Sequence, residues 1–196
     1  MTGRHRRTIK QIETVPQSSE LVQRILSCKG WPYKSDNEAY QLRDKAMISI
    51  TYILALRISE TLRLTKDQFQ TEEDKITVRG IKLSKSHLLG QLRKEQYREY
   101  GFISLKGERK ELGQLIKRYL CTLGEKEQLF KFGRIRAYQI FSASFGLPCH
   151  WFRAYGEHFL YELFKFDLVA VSDYTKQDIA TLAQYLRKRY LKYPIA

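Results

Sequence analysis

The sequence predicts an α-rich domain that carries one small antiparallel sheet, an α+β fold. Three observations predict it. Apolar residues recur at helical spacing through most of the chain. The period switches to two at Lys75-Ile-Thr-Val-Arg-Gly, a β-branched run that reads as a strand, and Tyr100-Gly-Phe-Ile-Ser-Leu reads as its return. With 43% apolar and 29% charged residues in 196, the composition is that of a globular chain with a core for one domain.

Taken in order, residues 1–17 form a basic, polar arm, and 18–196 one domain with a C-terminal tail from about residue 187. Pro16-Gln-Ser-Ser opens a first helix, capped by Ser18 or Ser19, with Leu21, Val22, Ile25 and Leu26 as its apolar face. Residues 28–37 read as a loop. One long helical pattern follows from about Glu38, through Ala46, Met47, Ile50, Ile53 and Leu54, to near Thr65. Between the two strands, residues 81–98 form a polar, basic connection. The remainder predicts helices at about 108–123, 134–145, 149–165 and 176–192. There is no internal repeat and no low-complexity linker.

Lys and Arg number 35 against 21 Asp and Glu, a formal net charge of +14. So basic a domain calls for a polyanion, nucleic acid first and a membrane surface second. No apolar run reaches the roughly 18 residues of a spanning helix, and the opening MTGRHRRTIK is not followed by the apolar stretch of a secretory signal. Cys28, Cys121 and Cys149 are too few and too scattered for a disulfide framework, which fits an intracellular, reducing compartment, cytoplasmic or nucleoid-associated. His5, His87, His150 and His158 form no ligand pair, and no phosphate-cradling glycine motif is present. The expectation is no metal and no cofactor.

Three places carry the chemistry. Arg57 ends an almost wholly apolar stretch, so its guanidinium needs either an internal partner, with Glu60 three residues on, or an external anion. His150 and Arg153 share one helix face at a helix N-terminal end, where backbone N–H groups also favour an anion. Tyr185 lies in Ile179-Ala-Thr-Leu-Ala-Gln-Tyr, with Tyr190 and Tyr193 as close competitors among 13 tyrosines.

Read in order, Arg57-Ile-Ser-Glu, His150-x-x-Arg153 and Ile179-x-Thr-x-x-x-Tyr185 resemble the tyrosine recombinases, or phage integrases. Residues 43–64 resemble that family's first box, and Tyr185 follows Arg153 by 32 residues, a spacing typical of the family. The resemblance implies a site-specific recombinase or integrase of a mobile element, virus or plasmid. Tyr185 would be the nucleophile, Arg57 and Arg153 the phosphate holders, His150 a proton or phosphate partner, and Lys82 the hairpin lysine, with Lys85 in reserve. It implies double-stranded DNA as partner, contacted by Lys85, Arg93, Lys94, Arg98, Arg134 and Arg136, and self-association into a tetrameric synapse on DNA. The terminal segment would dock on a neighbouring protomer.

Two departures stand beside it. Nine residues before Tyr185, where the family usually has His or Trp, stands Lys176, and Ala154 follows Arg153 where a second His is frequent. The first box starts by about residue 40, which leaves no room for the separate helical domain of larger members and implies a minimal recombinase or a catalytic fragment. Two other readings stay open: a DNA-binding protein with this fold that does not cut strands, and a type IB topoisomerase-like relaxase.

Overall fold

The computed structural model describes residues 16–29, 31, 37–84 and 96–190, without the side chains of 184, 185 and 187–190. Lys85, Arg93, Lys94, the arm up to residue 15 and the tail from 191 lie outside the described residues.

Helix α1 (Ser18–Ser27) buries Leu21, Val22 and Ile25. It is capped by neither serine expected for that task. Gln17 is the N-cap, and the Ser18 hydroxyl turns inward instead to Tyr52 Oη (3.1 Å) and Arg109 Nε (3.3 Å). Helix α2 (Glu38–Ile53) starts at Asn37, whose side chain accepts from the Ala39 N–H, and every residue from Ala46 to Ile53 is buried. A helix segment buried on all sides belongs at the centre, and α1, α4 (Lys110–Leu120) and α6 (His150–Leu163) all pack on α2.

The single helix expected to run to about Thr65 is broken. α2 stops at Ile53, Ala55 takes a left-handed φ of +50°, and a separate short helix α3 (Ile58–Thr61) begins with Arg57 as N-cap. No Gly or Pro marks the break. Its cause is tertiary: Arg98 Nη1 donates to the Leu54 carbonyl (2.8 Å), and Gly156 of α6 presses against Tyr52 and Ala55.

A 3₁₀ turn (Lys66–Gln68) leads into β1 (Phe69–Thr71), a strand too short for its pattern to be read beforehand. β2 (Lys75–Lys82) and β3 (Tyr97–Ser104) form the expected hairpin, each longer than the sequence suggested. The sheet is antiparallel in the order β1-β2-β3, with Ile76 opposite Ile103 and Lys82 opposite Tyr97. Then follow α4 (Lys110–Leu120), α5 (Arg134–Phe145), α6 (His150–Leu163), α7 (Leu168–Thr175) and α8 (Ile179–Tyr190). α7 is an addition to the expected set. Lys165 and Phe166, both at positive φ, separate it from α6, and Asp167 caps it by accepting from the Val169 and Ala170 N–H groups.

Most buried side chains form one core around α2. A second, small cluster of Ala55, Leu160, Val171, Leu182 and Leu186 seats α7 and α8. Among the described residues no helix is long and apolar enough to cross a membrane.

Candidate active site

The site grows from the joint between α2 and α3. As N-cap, Arg57 donates its backbone N–H to Glu60 Oε2 (2.8 Å), and its own Nη1 returns to Glu60 Oε1 (3.0 Å). Glu60 is 2% exposed, while the Arg57 side chain is 44% exposed. The carboxylate therefore anchors the guanidinium from below and leaves one side of it open. Ser84 donates its N–H to Glu60 Oε1 (3.0 Å), and its hydroxyl meets that of Ser59 (2.6 Å). These bonds tie the end of β2, just past Lys82, to α3.

α6 brings the second arginine. A Cβ on Gly156 would collide with the Tyr52 carbonyl oxygen, so only glycine lets α6 come this close to the end of α2. Arg153, one turn earlier, thereby reaches Glu60 Oε2 at 3.9 Å. Arg57 and Arg153 thus flank one carboxylate. Arg153 is 8% exposed and donates Nε to Glu157 Oε1 (2.6 Å) and Nη2 to Gln177 Oε1. Burial pushes the Glu157 carboxyl above its ordinary range, and Arg153 beside it opposes that rise. His150, in the first turn of α6, has its imidazole pushed below the ordinary value by partial desolvation.

Arg57, His150 and Arg153 line one cavity of about 300 Å³, together with Arg134, Cys149 and Gln177. Two hollows adjoin it. One, of about 540 Å³, contains Lys176 and shares Arg57, Gln177 and Thr181 with it. The other, of about 1000 Å³, contains Lys82 and Arg63 and shares Ser59 and Arg134. Six of the residues singled out in the sequence, Arg57, Lys82, Arg134, His150, Arg153 and Lys176, thus line these three neighbouring hollows. Tyr185 lies on α8, and its side chain is outside the described set. Among the described residues no cluster of His, Cys, Asp and Glu fits a metal ion.

The basic residues divide. Arg134 faces these hollows, whereas Arg136 stacks over the Trp31 ring at 4.4 Å and donates to Gln139. Arg98, expected on the basic connection as a contact for DNA, is 2% exposed. It donates to the Leu54 and Tyr100 carbonyls and to Tyr174 Oη, and burial lowers its pKa. It is a structural cation that joins hairpin, α2 and α7. Ser84, Glu157 and Gln177 were missed in the sequence. Glu157 left a signal, the i,i+4 step from Arg153 within an aromatic helix. Gln177 and Ser84 left none.

No family model and no curated protein sequence matches this chain. Among solved structures, it is similar to the XerH site-specific recombinase bound to palindromic difH substrate in a post-cleavage complex, with 17% identity and a TM-score of 0.59. The match covers 94% of this chain and 56% of that one. The pre-cleavage XerH–difH complex matches with 15% identity and a TM-score of 0.56, over 85% of this chain and 47% of that one. The chain thus spans about half the length of the recombinase it matches. From the central α2, the three-stranded sheet and this likeness it follows that the chain has the mainly helical α+β fold of a tyrosine recombinase catalytic domain.

Proposed function

We propose that this chain cuts and rejoins DNA strands through a covalent link to Tyr185. The observation that carries the reading is the convergence of Arg57 with His150 and Arg153, nearly a hundred residues later in the sequence, on one small cavity that shares lining residues with two hollows containing Lys82 and Lys176.

In this mechanism a DNA phosphate sits over Arg57 and Arg153. The Tyr185 phenolic oxygen attacks phosphorus in line, and the bond from phosphorus to the 5′ oxygen breaks. The products are a 3′-phosphotyrosine and a free 5′-hydroxyl. The phenolic proton leaves toward His150, which is suited to accept it because desolvation favours the neutral imidazole. Lys82 gives a proton to the departing 5′ oxygen. The two guanidinium forks hold the non-bridging oxygens as charge builds, each worth about 3–4 kcal/mol in the transition state. Lys176 adds a hydrogen bond from the α7–α8 turn. The covalent intermediate stores the bond energy, so rejoining needs no ATP. Arg134, and Lys85, Arg93 and Lys94 from the connection, would hold the duplex backbone, and copies would assemble on DNA.

A second reading, a DNA-binding protein of this fold without strand cleavage, draws on one observation: Glu157 and Gln177 already hold two of the Arg153 nitrogens. A nicked duplex that traps the covalent adduct decides between them. A denaturation-resistant protein–DNA species that vanishes in Tyr185→Phe supports cleavage, and its absence in the unaltered chain supports the binding protein. Relaxation of supercoiled plasmid without a second site would mark a topoisomerase-like relaxase.

A further inference from the structure

We propose that Gln177 is a positioning residue, which aims Arg153 at the scissile phosphate and ties it to the segment bearing Lys176 and Tyr185. This rests on the strand-cleavage reading above.

Arg153 is gripped from two sides. Glu157 takes Nε and the Gln177 side chain takes Nη2. The remaining nitrogen, Nη1, is buried with no hydrogen-bond partner among the described residues, 3.9 Å from Glu60 Oε2. An orphaned buried donor on a cation is costly, and a phosphate oxygen in the adjoining cavity would satisfy it. The grip leaves both N–H groups of Nη1, and the second N–H of Nη2, still to be used.

Gln177 is itself held. It is 6% exposed, its N–H reaches the Ser172 carbonyl (3.3 Å), and its carbonyl accepts from Ser172 Oγ (2.7 Å). These bonds close the α7–α8 turn, with Lys176 beside it in the left-handed conformation. The Gln177 side chain also belongs to the walls of both the arginine cavity and the Lys176 hollow. One amide therefore connects α6 to the turn, and α8 begins two residues later. Its neutrality matters. Glu60 and Glu157 are two buried carboxylates beside two arginines, so the formal charges already balance, and a third carboxylate would leave the group net negative where a phosphate must bind. An amide oxygen orients the guanidinium without neutralising it.

The test uses the full chain with Gln177→Leu, which removes the acceptor at similar volume, and Gln177→Glu, which keeps it. Hydrogen exchange over 172–183 reads the tie directly. It should quicken at least 10-fold in Gln177→Leu and stay unchanged in Gln177→Glu. On the nicked duplex, Gln177→Leu should form adduct about 30-fold more slowly, the scale of a small misplacement of a reacting group, with duplex affinity within about 3-fold of the unaltered chain. Unchanged exchange in Gln177→Leu overturns the proposal, as does quickened exchange with adduct at the normal rate or with affinity lost in parallel. If Gln177→Leu does not fold, Gln177→Asn, one methylene short of the guanidinium, is read in the same two ways. Absence of adduct in the unaltered chain refutes the strand-cleavage reading, and with it the aiming role, while exchange still reports whether the tie exists.

Discussion

At Lys176 the backbone sits at φ +53°, a conformation that favours glycine, while the side chain is exposed on the rim of the site. Stability and chemistry therefore separate there. Lys176→Gly should raise stability by about 1 kcal/mol or leave it unchanged, because the left-handed strain is relieved. The same change should slow adduct formation, and thermal melting beside a cleavage time course measures both. The cysteines also differ by environment. Burial raises the Cys149 thiol from 9.0 to about 11, and Cys28 is buried too, whereas Cys121 is exposed. A thiol-specific reagent at pH 7.5 should modify Cys121 rapidly and the other two only as the fold opens. The sign for stability follows from the same rise. An acid with a raised native pKa binds more protons when folded, so the contribution of Cys149 is complete below about pH 9 and is lost as the pH rises through 11. Equal modification rates for all three thiols would contradict the burial described here.

Among the elements, α6 and the α7–α8 pair set the site in different ways. α6 is fixed by its contact at Gly156. Gly156→Ala places a methyl group against the Tyr52 carbonyl and forces α6 outward, at a cost of about 1–3 kcal/mol. The shift should also carry Arg153 away from Glu60. Chemical denaturation measures the loss, and duplex affinity at fixed salt should fall with it. α7 and α8 rest on the small cluster of Ala55, Leu160, Val171, Leu182 and Leu186, whereas α2 is surrounded by the main core. A helix pair with so little burial opens at lower free energy than the core does. Amides of α7 and α8 should exchange well before those of residues 46–53. Equal protection would mean that the two clusters unfold as one.

Over the whole molecule, a net charge of +14 and neighbouring hollows lined by Arg57, Arg63, Lys82, Arg134 and Lys176 predict binding dominated by counterion release. Neutralising about six phosphates gives a slope near −5 for log affinity against log salt. Titrations of a duplex between 50 and 200 mM salt, about a thousand-fold in affinity by that slope, check it. A flat response would assign the charge elsewhere.

Periodicity and charge by themselves determined the α+β class, the hairpin of β2 and β3, the first turn of α6 and the basic character of the surface. These are local or summed properties, and the chain carries them before it folds. Arg57, His150 and Arg153 were weak signals one by one, and it was their order and spacing with Tyr185, which resemble the tyrosine recombinases, that marked them as a set; the structure lines one cavity with all three. Only the tertiary structure decided the break after α2, because the cause is Gly156 and Arg98 arriving from far along the chain. It alone turned Arg98 from a surface cation into a buried strut, Ser18 from a cap into a partner of Tyr52, and Gln177 from an ordinary polar residue into a wall of the site. In each case the side chain is assigned by long-range hydrogen bonds, which leave no period and no spacing in the sequence.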